Sequence, residues 1–484
     1  MLEQLALRAL RTLEPLEQLA LRALRTLELL EQLVLRALGT LEPLELHLWC
    51  LHMNWDFLIQ NKESLLVSTD TRNLPAGCVF FALHGANFDG NKFAKQALEQ
   101  GASLVVIDDP EVFATLTSSP LASSPDRLIA LSPNSRLLLV EDTLLALQDL
   151  ARAWRRYLGL PIIGVTGTNG KTTTKELLAS VLSTKYTIHY TQGNLNNQIG
   201  VPLTLLQLTK AHEMAIVEMG ASHPGDIKEL VDIAEPNFGL ITNVGRAHLE
   251  GFGSFEGVQQ TKKELYDYLV AHQGIIFRNT DNPFLMRMHE NALASSPDRL
   301  IASSPISDSR LVAYATGSMP SGTNLVGEYN AENVSAAICV GEHFGISHEQ
   351  ALEAIRKYVP TNNRSQHMQT AHNQLIVDAY NANPTSMQAA ISVFKGDTFI
   401  LGAMRELGDY THLEHQNVVN MLAERKADVV YLVGEEYRLT TSPYPIFDTV
   451  EDLRVYLEQH PLRDRKILLK GSRSTKMETL LDIL

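Results

Sequence analysis

The chain has 484 residues, 45% hydrophobic and 20% charged, an ordinary balance for a folded globular protein of about three domains. Its formal charge of -14 argues against general nucleic-acid binding, which needs Lys and Arg clustered on phosphates. Cys50, Cys78 and Cys339 form no CxxC pair, which argues against a disulfide framework or a zinc site, and no apolar run is long enough to span a bilayer. The expectation is a reducing, cytoplasmic setting.

The chain opens on a repeat. LEQLALRALRTLEP (2–15) returns with small changes at 16–29 and 30–43, its leucines and alanines spaced for one helical face and interrupted by Pro15 and Pro43. Residues 1–52 read as a repeat-derived extension without a catalytic role, the alternative being a partner-binding or membrane-surface helix. Glu and Arg interrupt them too often for a secretory signal. Met53 opens the sequence expected to carry the function. A second repeat, LASSPDRLIA at 121–130 and 293–302, sits in Ser/Pro-rich surroundings and reads as a surface-loop insertion. Elsewhere short apolar runs at 103–107, 161–166, 214–219, 238–244, 375–380, 398–402, 429–434 and 466–470 alternate with amphipathic stretches. This pattern predicts an α/β protein with parallel sheets covered by helices, in blocks 53–148, 149–358 and 359–484.

The strongest chemical signal is PIIGVTGTNGKTTTKELLASVL, residues 161–182. An apolar strand enters a loop, Thr166, Gly167, Thr168, Asn169, Gly170, and leaves through Lys171, Thr172 and Thr173 into an amphipathic helix. Glycines let backbone N–H groups approach a polyphosphate, and the helix N-terminus adds partial positive charge. Lys171 is placed for the outer phosphates and the Thr172 hydroxyl for a magnesium ion. The usual GxxxxGK[ST] pattern asks for glycine at 165; here Val165 stands there and Gly164 comes one residue early.

Two further groups follow apolar runs. Glu218 ends MAIVE, the edge of a parallel sheet where ligands bind, and is a candidate magnesium ligand. His248, after FGLITNVG, is a second, since a neutral imidazole can join carboxylates around a divalent ion. Taken alone, each is equally a strand-end polar residue, and Lys262 in QQTKKELYDYL is equally a solvated helix lysine.

The motifs TGTNGKTTT, GNLNNQIGVPLTLL, VEMGAS, NVGRAHLEGFGS, NNRSQ, DAYNANPTSM, LGAMRELGDYTHLEH and LLKGSRSTKME occur in that order. With them the chain resembles the Mur ligases over most of residues 53–484, and DAYNANPTSM with LGAMRELG is similar to the branch that adds a dipeptide. The resemblance implies a three-domain α/β architecture: an N-terminal domain for the UDP end of the substrate, a central P-loop ATPase domain, and a C-terminal Rossmann-like domain. It implies ATP and Mg²⁺ as cofactors, UDP-N-acetylmuramoyl-tripeptide and D-alanyl-D-alanine as substrates, an acyl-phosphate intermediate, a place in peptidoglycan precursor synthesis, and a monomer. By resemblance Thr172, Glu218 and His248 surround Mg²⁺, and Lys262 matches a lysine that is carbamylated in some members. Asn330 and Arg364 contact the nucleotide, and Lys171, Lys262, His248 and Arg364 form the catalytic set. Ser68, Asp70, Thr71 and Arg72 hold the UDP end; Asn194, Asn196 and Asn197 face the muramoyl part. Asp378, Tyr380, Asn381, Asn383, Lys470 and Arg473 come from the third domain. Another peptide-adding Mur ligase, and a nonenzymatic Mur-fold protein, stay as alternatives. Only a short stretch separates Tyr314 from Gly327, which implies a trimmed edge of the central sheet.

Overall fold

The alternation of apolar runs and amphipathic stretches folds into three successive sheets, each clothed by its own helices. The computed structural model describes residues 55–85, 88–117, 130–131, 136–295, 310–325, 327, 330–360 and 366–484. The leucine repeats, Arg364 and most of both LASSPDRLIA copies lie outside the described residues.

The first sheet runs in space Val67–Ser68, Val79–Phe81, Leu104–Ile107, Leu137–Leu139 and Ala130–Leu131, parallel except for the last pair. Phe80, Val105, Ile107 and Phe113 are buried in its core. Helix Thr143–Leu158 leads away from it. Asp142 caps this helix by accepting from the N–H groups of Leu144 and Leu145, and Gly159 ends it in the left-handed conformation. The boundary expected at residue 148 falls inside this helix. Beyond that point Trp154 Nε1 donates to the Leu208 carbonyl (3.0 Å) and Arg155 to the carbonyls of Ala234 and Glu235.

The central sheet has six parallel strands in the order Leu311–Tyr314, Ile275–Asn279, Phe238–Ile241, Ile162–Thr166, Met214–Glu218, Ile188–Tyr190. Every residue of Ile162–Thr166 and Met214–Glu218 is buried, as a parallel sheet covered on both faces requires. On one face Ile163, Val165, Ile216 and Leu240 pack against Leu177, Leu178 and Val181 of helix Lys171–Leu182 and Val334 and Val340 of helix Asn330–His343. Each such side chain contributes roughly 1.5–3 kcal/mol on burial. The register sets Val165 beside Glu218 and Thr166 beside Ile241, so the loops after these three strands emerge side by side. Leu311–Tyr314 is the edge strand, and no later described residue adds a strand to this sheet.

The third sheet runs Gln366–Gln369, Gln374–Asp378, Lys466–Lys470, Thr398–Gly402, Val429–Val433, Ile446–Phe447, parallel but for its first pair. Strand alternation divides its core: Phe399, Leu401, Leu432 and Leu468 face Met387 and Leu422, while Ile400, Val433, Ile467 and Leu469 face Leu453, Leu457 and Leu480. Asp378 lies opposite Lys470 at the C-terminal edge. All eight expected strands form; the run expected at 238–244 leaves the sheet after Ile241 and becomes a loop.

Trp55–Leu484 form one compact unit, and within it the third sheet docks on the loops of the central one. The Arg246 N–H donates to Thr385 Oγ1 (3.0 Å) and its guanidinium to Glu414 Oε1 (2.9 Å), while Asn383 Nδ2 donates to Asn169 Oδ1 (2.8 Å). Gly245 permits this approach, since a Cβ there would lie 2.6 Å from Thr385 Oγ1.

Candidate active site

The loop between strand Ile162–Thr166 and helix Lys171–Leu182 depends on two glycines. Gly167 has φ +145° and a Cβ there would meet Thr242 Oγ1 at 2.0 Å; Gly170 has φ +80° and would meet Asn333 Oδ1 at 2.4 Å. Neighbouring loops hold it in shape. Thr168 N–H donates to the Asn243 carbonyl (3.0 Å), Asn169 N–H to Asn243 Oδ1 (3.0 Å), and Thr242 Oγ1 to the Asn169 carbonyl (2.6 Å). Thr166 Oγ1 donates to the Met219 carbonyl at 2.7 Å. Lys171 Nζ folds back onto the carbonyls of Gly167 (2.8 Å) and Thr168 (3.1 Å). The loop and the head of its helix line the cleft, where a phosphate cradle would lie, despite Val165 at the usual glycine position. Thr173 lines the same cleft.

Glu218 is 1% exposed. Its Oε1 accepts from Thr172 Oγ1 (3.2 Å) and Asn196 Nδ2 (2.9 Å). Its Oε2 is buried without a hydrogen-bond donor and lies 3.8 Å from Lys175 Nζ. A carboxylate oxygen without a donor, beside a threonine hydroxyl and next to a phosphate cradle, fits magnesium, which is held by few protein oxygens plus substrate phosphates and water. No group of three His, Cys, Asp or Glu suited to a metal exists among the described residues. His248 lines the cleft too, with φ +51°. Its Nδ1 pairs with Glu406 from the third sheet's loop. Burial pushes its pKa below the ordinary histidine value, against the pull of the Glu406 carboxylate.

Lys262 is 2% exposed on helix Phe255–Ala271, so it is not a solvated helix lysine. Burial pushes its pKa far down; the nearby Lys171 ammonium pushes the same way, against Asp226 and Glu264. A neutral amine is thereby favoured close to the phosphate loop.

A cleft of about 990 Å³ gathers Thr168–Thr173, Asn194, Asn196, Asn197, Glu218, His248 and Asn330 from the central part with Asp378, Tyr380, Asn381, Asn383 and Lys470 from the third. Asn197 Oδ1 accepts from the Ile199 and Gly200 N–H groups in the turn that leads into helix Gly200–Leu206, and Asn383 caps helix Pro384–Val393, so both also have local structural work. Lys470, 1% exposed, pairs with Asp378 and donates to the Asn381 carbonyl (3.3 Å). The Arg473 guanidinium lies over the Tyr380 ring, 5.6 Å from its centroid. Ser68, Asp70, Thr71 and Arg72 do not line this cleft. They form a turn closed on itself, with Arg72 hydrogen-bonded to Asp70 through Nε and Nη2, which holds the Asp70 carboxyl down at about 2. Sequence reasoning missed Asn243, Asn333, Lys175, Arg405 and Glu406. Asn243 and Arg405 each follow a strand end, the signal that had singled out Glu218.

Comparison with known proteins places these features in a lineage. Three profiles match in succession: "Mur ligase family, catalytic domain" over residues 65–155, "Mur ligase middle domain" over 165–341, and "Mur ligase, glutamate ligase domain" over 363–471. They fall on the three sheets in order. The chain is 33% identical over 441 residues to UDP-N-acetylmuramoyl-tripeptide–D-alanyl-D-alanine ligase of Bacillus subtilis, covering 86% of this chain and 92% of that one. It is 32% identical to the Escherichia coli protein of the same name, over 85% of this chain and 92% of that one. The crystal structure of MurF from Acinetobacter baumannii superposes with a TM-score of 0.71 at 29% identity, over 86% of this chain and 92% of that one. With all three sheets matched in order and near full-length relatives on both counts, the chain belongs to the Mur ligase family.

Proposed function

We propose that this protein is the ATP-dependent ligase that adds D-alanyl-D-alanine to UDP-N-acetylmuramoyl-tripeptide, an ADP-forming step of peptidoglycan precursor synthesis in the cytoplasm. The observation that carries the reading is the single cleft in which the phosphate loop and Glu218 face Asp378, Asn381 and Lys470 of the third sheet. ATP phosphorylates the terminal carboxylate of the tripeptide; the dipeptide amine attacks the acyl-phosphate carbon; inorganic phosphate leaves. Both steps gather negative charge, so fixed cations and N–H donors lower the barrier most. The 167–170 loop binds the polyphosphate with Thr166 and Thr173 behind it, and Lys171 steadies the phosphoryl group in transfer. Thr172, Glu218 and His248 would hold magnesium, which would supply neutralisation of phosphate charge. His248 would do so through Nε2, its Nδ1 being paired with Glu406. Lys262, its pKa lowered by burial, is suited to carbamylation, which would turn it into an anion.

Asn330 and Arg364 contact the nucleotide. Ser68, Asp70, Thr71 and Arg72 take the UDP end, Asn194, Asn196 and Asn197 the muramoyl part, and Asp378, Tyr380, Asn381, Asn383, Lys470 and Arg473 the dipeptide side. The working domains are 53–148, 149–358 and 359–484, bridged at the first junction by helix Thr143–Leu158; residues 1–52 are an extension, and the enzyme acts as a monomer. The Thr172–Glu218 pair and the buried Lys262 speak against a nonenzymatic Mur-fold protein. In a phosphate-release assay the purified protein should turn over ATP only when both UDP-N-acetylmuramoyl-tripeptide and D-alanyl-D-alanine are present. Equal turnover with D-alanine in place of the dipeptide would reject the acceptor.

A further inference from the structure

Loop Ala403–Leu407, between strand Thr398–Gly402 and the turn Gly408–Tyr410, carries Arg405 and Glu406 into the cleft. Arg405 pairs with Glu436, and Glu406, at φ +60°, pairs with His248 across the two sheets. Behind this loop His415, on helix Thr411–Glu424, is 0% exposed. Its Nε2 accepts from the Met404 N–H at 3.1 Å, and its Nδ1 lies 2.7 Å from the Thr411 carbonyl. The two partners fix the tautomer. A carbonyl only accepts, so Nδ1 carries the hydrogen; a backbone N–H only donates, so Nε2 keeps its lone pair.

We infer that His415 is a positioning residue for the ligase reaction: neutral and protonated on Nδ1, it holds Met404 so that the next two side chains, Arg405 and Glu406, enter the cleft. It touches no substrate and acts through one backbone hydrogen bond. A second proton on Nε2 would set N–H against N–H and release the loop. The groups around the ring favour the neutral form. Burial pushes its pKa below the ordinary histidine value and Arg405 adds to this, against the Thr411 bond and the carboxylates of Glu436 and Glu414. Tyr437 meets the ring edge-on, centroids 4.7 Å apart, and Asp409 and Tyr410 lie on the turn before the helix. Both nitrogens are used, and one bond ends on the residue before two charged cleft groups.

The inference rests on the ligase reading, and wild-type turnover tests that reading separately. His415→Leu keeps the ring's apolar volume and removes the acceptor; His415→Gln offers an amide oxygen to Met404 without a proton to titrate. Per folded molecule, checked by thermal unfolding, His415→Leu should lower kcat about tenfold, the worth of one buried hydrogen bond, with the KM for ATP nearly unchanged. His415→Gln should recover most of kcat and keep its turnover to lower pH than the wild type. Wild-type kcat in His415→Leu, or coincident acid limbs for His415→Gln and wild type, overturns the inference. Should His415→Leu fail to fold, the His415→Gln profile decides alone.

Discussion

Lys175 offers the sharpest test of the electrostatics beneath the phosphate loop. Lys175 and Glu218 are each 1% exposed, with Nζ and Oε2 3.8 Å apart. At an effective dielectric near 20, two unit charges at that distance attract by about 4 kcal/mol. Lys175→Met keeps the stem and deletes the charge. Glu218 is then left with the Thr172 hydroxyl and the Asn196 amide on Oε1, and no ammonium beside Oε2. Removing one member of a buried pair costs about 3–5 kcal/mol, because the survivor keeps its desolvation cost. Urea unfolding of Lys175→Met should show a loss of that size. Lys175→Met with Glu218→Gln should be more stable than Lys175→Met alone, since no charge is then stranded. Mg²⁺ with ATP should raise the melting temperature of Lys175→Met more than that of the wild type, because the incoming cation replaces the missing one. A Lys175→Met protein within about 1 kcal/mol of the wild type, or additive effects in the double mutant, would refute the reasoning.

Lys171→Ala should lower kcat by about 10²–10³, the scale for losing one preorganised charge donor, with unfolding little changed; phosphate release checks it. Removal of residues 1–52 should leave turnover at the wild-type level in the same assay, and a large loss would show that the leucine repeats act in the enzyme. Lys262 gives a pH signature. Its folded pKa is depressed by burial, so between that value and the ordinary lysine value the unfolded chain holds a proton that the folded chain does not. Stability therefore rises with pH across that window. Lys262→Met should flatten the rise and stabilise the protein at neutral pH, as read from urea midpoints in bicarbonate-free buffer.

Strands buried on both faces announce themselves as unbroken apolar runs, which is why Ile162–Thr166, Met214–Glu218 and Thr398–Gly402 were legible. Leu311–Tyr314 was not: it is an edge strand with no fully buried residue, and four residues give periodicity little to work on. The strands of two or three residues in the first sheet are shorter still, so that even Val79–Phe81 and Leu137–Leu139, buried throughout, are too brief to stand out as runs. Within the site, Lys171, Thr172 and Glu218 could be read because each sits at a fixed offset from a strand end. Lys175 could not, since a lysine one turn into an amphipathic helix reads as solvated, and only the fold turns it toward Glu218. The His248–Glu406 pair spans 158 residues and two sheets, so no local pattern encodes it. Asn196, expected to face substrate, lines the cleft, and its amide also donates to the Glu218 carboxylate, a bond between a loop and a strand end that no local pattern encodes.

The way the cleft cations are engaged argues which of them meets phosphate. Lys470 is paired with Asp378, Arg405 with Glu436, and Lys175 lies against Glu218. An anion that drew on any of these would have to compete with a carboxylate already in place, and drawing Lys175 away would leave the buried Glu218 behind. Lys171 instead donates to the neutral carbonyls of Gly167 and Thr168, and exchanging a carbonyl for a phosphate oxygen strengthens the bond, since charge-assisted pairs are about twice as strong as neutral ones. A chain of net charge -14 can therefore hold a polyphosphate without a basic surface: most of its cleft cations are held by carboxylates, and the lysine at the head of the helix is the one whose observed acceptors a phosphate can displace at little cost.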